Sequence, residues 1–185
     1  DGGMEWGITM TPTPGKSNNG SPFATVRLED PVVDKDACLF TSAFDVQVAI
    51  PAGATLRYTT DGTTPTENNG FVSRNGHFTV DYTTTFRFRL FQDGYLPSRV
   101  ITRSYLYMEE SFGLPVVSVV TDPANLYDDY IGIMVRGVNG RTGNGQSSPC
   151  NWNMDWERPV NFEYINAEGE MVVNMEANME MCGGW

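Results

Sequence analysis

The sequence predicts a mainly β chain: an immunoglobulin-like antiparallel β-sandwich over residues 23–108, then a smaller β-rich segment with one short helix over residues 109–185. Three observations carry this. Apolar residues alternate with polar ones at period two between about Phe23 and Tyr107. The alternating runs are separated by turn chemistry, Pro51-Ala52-Gly53, Asp61-Gly62, Asn75-Gly76 and Asp93-Gly94. No stretch of that half holds a 3.6-residue apolar period.

In chain order, residues 1–22 are rich in Gly, Pro, Thr, Ser and Asn and read as a linker or the tail of a preceding module, with Trp6 and Ile8 tacked onto a neighbour. Asn19-Gly20-Ser21 is a glycosylation sequon of a kind that also arises by chance. In "AFDVQVAI" Phe44, Val46, Val48 and Ile50 share one face. Leu56 and Tyr58 alternate with Arg57 and Thr59, and Phe86, Phe88 and Leu90 alternate with Arg87 and Arg89. "RVITRSYLY" closes the series.

The second segment opens with "LPVVSVV", a short buried strand. Thr121 or Asp122 is placed to cap a helix whose first residue is Pro123, where a missing N–H costs nothing, and the helix runs for a turn or two. "IGIMVRG" is expected to return to strand, and "VNGRTGNGQSSPCNWN" to form a long polar loop. "RPVNFEYIN" and "MVVNMEANMEM" are strands flanking the turn Ala167-Glu168-Gly169. In the second, Val173, Met175, Ala177, Met179 and Met181 fall on one face and Asn174, Glu176, Asn178 and Glu180 on the other. That apolar face calls for a cover beyond the strands in view, so the chain is expected to end inside a larger domain.

The bulk composition narrows the function classes. With 40% hydrophobic and 12% aromatic residues, 185 residues can bury a core as one large domain or two small ones. There are 23 acids against 12 bases, a formal charge of −11, which opposes partners such as nucleic acid or an anionic membrane. Ten of the acids and three of the bases lie from Ser111 onward. No apolar run approaches the roughly 20 residues that span a bilayer, so no membrane insertion is expected. The chain starts at Asp1, without a signal-peptide pattern, as a processed or trimmed start does. Cys38, Cys150 and Cys182 form no CxxC pair and His77 is the single histidine, which argues against zinc. One disulfide with a free thiol, or three free thiols, both fit the count.

Several constellations invite chemistry. Asp61-Gly62 among threonines suits a calcium or sugar loop, or a turn in which Gly62 takes positive φ and Asp61 accepts local N–H bonds. A calcium loop gathers several oxygen ligands, and one acid among threonines favours the turn. Asp122, Asp128 and Asp129 could bind a divalent metal or share a proton; capping a short helix is the competing role. "RGVNGRTGNG" lacks the Gly-Lys-Ser/Thr ending of a phosphate loop and reads as a surface loop, though Arg136 and Arg141 stand in it. Trp152, Trp156 and Tyr164 are candidate sugar-stacking platforms; packing is the alternative, more so for Trp156 at a strand entrance. His77 reads as a surface strand residue, and the methionine stripe Met175, Met179, Met181 as core or interface. No cofactor is called for.

Two resemblances add to this. "RYTTDGTTPT" followed by "TTFRFRLFQDGYLPSRVITRSY" resembles the immunoglobulin-like chitobiase/β-hexosaminidase C-terminal domain over roughly residues 40–107. The carrying positions are Tyr58, Thr59, Asp61, Gly62, Pro65, Thr66, Pro97, Ser98 and Tyr105. "LPVVSVVTDPANLYDDYIGIMV", "WERPVNFEYINAEGE" and the terminal "GGW" resemble the start of the spore coat protein H (CotH) kinase-like domain. That resemblance implies a secreted or cell-surface protein whose family phosphorylates protein substrates with ATP, and it places the lysine, acidic and metal-binding residues downstream of this chain. The expectation is therefore a non-catalytic segment that spaces or supports a downstream kinase-like lobe or neighbouring modules. A carbohydrate-binding sandwich using Trp152 and a self-assembling surface protein pairing through its methionine strand are the alternatives.

Overall fold

The computed structural model describes residues 8–9, 15, 23–110, 113–143 and 145–183. Most of the 1–22 tail and the final Gly184-Trp185 lie outside the described residues. Within the tail, strand β1 (Ile8–Thr9) pairs antiparallel with β2 (Phe23–Ala24), Ile8 opposite Ala24.

The sandwich has two layers. One is a five-stranded sheet in the order β3 (Cys38–Phe40), β9 (Ile101–Tyr107), β8 (Thr84–Phe91), β5 (Thr55–Thr59), β6 (Phe71–Ser73). The other is the pair β4 (Phe44–Gln47) and β7 (His77–Val80). Between them lies a core of Phe40, Val46, Val48, Leu56, Val80, Phe86, Phe88, Leu90 and Tyr105. The alternation of β8 explains why: Phe86, Phe88 and Leu90 are buried inward, while Arg87 and Arg89 emerge on the outer face. Phe78 and Phe86 approach at 5.2 Å, Phe40 and Phe44 edge-on at 5.1 Å, so aromatic contacts tie the layers.

One pairing departs from the antiparallel expectation. β3 runs parallel to β9, Cys38 opposite Tyr105, because the chain enters this edge after crossing from the other layer rather than from a hairpin.

The second segment forms a three-stranded antiparallel sheet, β10 (Val116–Val120), β11 (Arg158–Ile165) and β12 (Met171–Met179), with β11 central. A five-residue helix α1 (Pro123–Tyr127) follows β10, with Asp122 as its N-cap and Pro123 in its first turn. The strand expected over "IGIMVRG" is absent. Its amide groups are taken by the helix end instead: Gly132 N–H donates to Asp128 O at 2.7 Å, Ile133 to Asn125 O at 3.0 Å and Met134 to Leu126 O at 2.9 Å. Ile133 is buried by this wrap, so an apolar run that looked like a strand is a turn folded back on its own helix.

Register shows how the second sheet is oriented. Val117, Tyr164 and Val173 stand in one row and Val119, Phe162 and Met175 in the next, on one face. Ser118, Glu163 and Asn174, then Val120, Asn161 and Glu176, make the rows of the other. The polar face is the one laid against the sandwich, and the apolar face is left half open, with Met175 53% exposed.

Candidate functional site

The seam between the two sheets is where the chain concentrates its buried polar groups. On the sandwich side it uses the outer positions of β8 and β9, which pair Arg87 with Thr102 and Thr85 with Ser104. Thr102 and Ser104 are buried although they lie on the outer face, because the second sheet covers them.

Glu163 is the centre of the seam and is fully buried. Its Oε1 accepts hydrogen bonds from the Ser104 amide at 3.3 Å and from Asn174 Nδ2 at 2.8 Å. Asn174 Nδ2 also donates to Thr102 O at 3.1 Å, and the Ser104 and Ser118 hydroxyls meet at 2.8 Å. Burial pushes the Glu163 carboxyl above the usual range, while the bonds from Ser104 and the nearby Arg103 charge oppose the shift.

The corner "DGTTPT" supplies the second contact. Within it, Asp61 Oδ1 accepts from the Thr63 amide at 3.0 Å and its hydroxyl at 2.6 Å; these bonds hold the Asp61 carboxyl below its ordinary value. Gly62 has φ +83°, and a Cβ there would stand 2.8 Å from the Thr121 carbonyl oxygen. Glycine is therefore needed twice, for the turn and for the approach of the second sheet. Asp122 joins the two halves: Oδ1 caps α1 at the Ala124 amide, 3.1 Å, and Oδ2 accepts from the Thr64 amide, 3.2 Å. Arg87 steadies the corner by donating to Gly62 O at 2.7 Å. The remaining motif residues serve the sandwich itself. Ser98 Oγ accepts from Leu90 N at 2.9 Å and donates to Arg99 O at 2.7 Å, the Tyr105 hydroxyl donates to Lys35 O at 2.8 Å, Pro65 is buried, and the Tyr58 ring meets Phe78 at 4.9 Å.

A third contact is made by the β11–β12 hairpin turn, where Leu39 N–H donates to Gly169 O at 3.1 Å and Cys38 bridges Glu170.

Below Glu163 the seam opens into a cavity of about 320 Å³ lined by Arg87, Val100, Thr102, Pro159, Asn161 and Glu176, among others. Nε of Arg87 and Nδ2 of Asn161 are buried here without hydrogen-bond partners among the described residues. Burial lowers the Arg87 guanidinium's hold on its proton, and the charges of Asp122 and Glu176 act the other way.

The structure does not gather Asp122, Asp128 and Asp129 into a metal site. Asp128 Oδ1 accepts from the amides of Tyr130 and Ile131 at 2.8 and 3.1 Å, and Asp122 is spent on the cap and on Thr64. No group of three or more His, Cys, Asp or Glu side chains with metal-holding geometry occurs among the described residues. The aromatic candidates are also dispersed. Trp152 lies in the 3₁₀ turn Asn151–Asn153, donates its indole N–H to Gln146 Oε1 at 3.0 Å and lines a cavity of about 380 Å³ with Arg136. Trp156 lies under the Arg158 guanidinium at 4.9 Å, and Tyr164 stands in the apolar row of β11. In the glycine-rich loop, Arg141 binds Asp155 at 2.9 Å and Asn153 O at 2.6 Å. His77 is exposed and stands 3.6 Å from Asp45. Cys38, Cys150 and Cys182 are free thiols, and burial raises that of Cys38.

Arg87, Asn161, Glu163 and Glu176 were not singled out as site residues from sequence. The available signal was polar residues at alternate positions of otherwise apolar strands, which a solvent-facing sheet also shows.

Residues 39–102, about a third of the chain, match the family model of the chitobiase/beta-hexosaminidase C-terminal domain. The match runs from β3 into β9 and contains the corner motif and Ser98. No curated protein matches the chain. No helix among the described residues is long and apolar enough to cross a membrane.

Proposed function

We propose that this chain is a non-catalytic structural and docking segment of a secreted or surface protein of the CotH family. The sandwich fixes the second sheet through its polar face, and that sheet offers its apolar face to a kinase-like lobe of the same protein. The observation that carries this reading is the open patch in register across three strands, where Val117, Val119 and Met175 are 52%, 48% and 53% exposed beside Phe162, Tyr164 and Val173. Covering such side chains stabilises by about 25 cal/mol per Å² of apolar surface removed from water, and a contiguous patch is what an interface presents. The resemblance of residues 114–135 and 156–170 to the opening of the CotH kinase-like domain supports the identity of the partner.

Val119→Glu and Met175→Glu test it. In this chain alone each side chain is half exposed, so Tm should move by no more than about 2 °C, as surface substitutions do. In a polypeptide that also carries the kinase-like lobe, each should lower the lobe's Tm by several degrees. Equal responses in both polypeptides would remove the support for this reading.

The match of residues 39–102 to a chitobiase/beta-hexosaminidase domain favours a second reading, a sugar-binding module, for which Trp152, outside the matched span, is the candidate platform. Loss of glycan retention in Trp152→Ala distinguishes it from the docking role.

A further inference from the structure

We propose that the open edge of β12 is a docking strip for an extended segment of a partner polypeptide in which Lys or Arg alternates with apolar residues. At nine residues β12 is the longest strand among the described residues, and it pairs on one side alone, with β11. Every second residue of such an edge strand turns its N–H and C=O away from its neighbour. Among the described residues, no backbone hydrogen bond other than those of the β11 pairing reaches residues 171–179. The devices that commonly blunt an edge are missing, since residues 171–179 contain no proline and no lysine. The sandwich treats its own edges differently: β3 and β6 are three residues long, and the hairpin turn at Gly169 and Glu170 covers β3.

Charge selects the occupant. Arg158 is the last basic residue in the sequence, and residues 159–185 hold five glutamates. Glu176 on the seam side of β12 and Glu180 just past the strand are both exposed, and the exposed Glu157 carboxylate accepts from Asn178 Nδ2 at 2.8 Å. A second copy paired edge to edge would bring acid to acid with no base to offset it, between chains of formal charge −11. A strand with Lys or Arg at alternate positions meets these carboxylates on one side. Its intervening apolar residues then fall beside Met175, Ala177 and Met179 and extend the half-open apolar face by one strand. Backbone hydrogen bonds supply the affinity of such strand addition, and the alternation supplies its specificity. The docking role proposed above uses the face of this sheet. The strip lies in the plane of the sheet and stands or falls separately.

The test adds the peptide acetyl-KVKVKVK-amide to the intact chain and follows the β12 backbone amides by NMR and hydrogen exchange. Their resonances should shift saturably, their exchange should slow, and binding should weaken as salt rises. Glu176→Gln combined with Glu180→Gln should weaken binding by roughly five- to tenfold, the loss of two exposed ion pairs. The peptide acetyl-EVEVEVE-amide should not bind, nor should the lysine peptide with proline in place of its central valine. The proposal is overturned if the lysine peptide leaves the β12 amides unmoved, if either control peptide binds as well, or if the double variant binds as wild type does. It is also overturned if sedimentation of the chain alone shows a dimer whose β12 amides are already protected, which would make a second copy the occupant.

Discussion

Glu163 is fully buried, and its Oε2 has no hydrogen-bond partner among the described residues although Oε1 has two. An acid with a raised native value holds its proton more tightly folded than unfolded. Below its ordinary value of about 4.3 the group is protonated in both states and costs nothing. As pH rises past that value the unfolded chain ionises first, so stability falls until the raised native value is passed, and is flat beyond it. Glu163→Gln keeps an acceptor for Ser104 and Asn174 and cannot ionise. In urea unfolding across pH 4 to 8 the stability difference should move in favour of Glu163→Gln as pH rises, by ~1.4 kcal/mol for each unit by which the native value is raised. A difference independent of pH would show that the carboxyl titrates alike in both states. Glu163→Leu, by contrast, strands Ser104 N–H and one of the two N–H groups of Asn174 Nδ2, the other staying on Thr102 O, and should cost about 2–4 kcal/mol.

At the scale of elements, α1 is too short to persist on its own and owes its place to Asp122, which caps it and reaches Thr64. Asp122→Ala removes both bonds and should lower stability by about 1–2 kcal/mol in urea unfolding; an unchanged midpoint would mean that the helix is held by packing alone. This helix and its first-turn proline were legible in sequence, with the cap narrowed to Thr121 or Asp122, as were the strands of the sandwich, because half-buried strands must alternate and turns need particular residues. The turn over 131–137 was not. An apolar run carries no record of whether its amides go to a neighbouring strand or back to Asn125 and Leu126. The alternation of β12 was read correctly, and its apolar face lacks cover as expected, but nothing in the sequence showed that Asn174 and Glu176 on the other face line the seam. Polarity marks a face as distinct, and does not say that water covers it.

At the scale of the whole molecule, three contacts among the described residues hold the sheets together: the Glu163 cluster, the Thr64–Asp122 bond, and the hairpin turn on β3. They come from distant parts of the chain, Ser104 with Glu163 and Thr64 with Asp122, so periodicity within one strand could not show them. Each is modest, since a hydrogen bond contributes about 0.5–1.5 kcal/mol net, and their joint effect depends on excluding water from the seam. The corner "DGTTPT" gains a second meaning from this. It closes a β-strand, and its glycine and Thr64 amide are the landing place for the second sheet. The central claim is that the two halves form one docked unit, and amide hydrogen exchange of the intact chain tests it most directly. The Ser104 and Thr64 amides donate across the seam to Glu163 and Asp122 side chains. Docking predicts that both exchange as slowly as the Leu90 amide, which is bonded within the sandwich to Ser98. Fast exchange at Ser104 and Thr64 while Leu90 stays protected would show that the second sheet does not hold this position in solution.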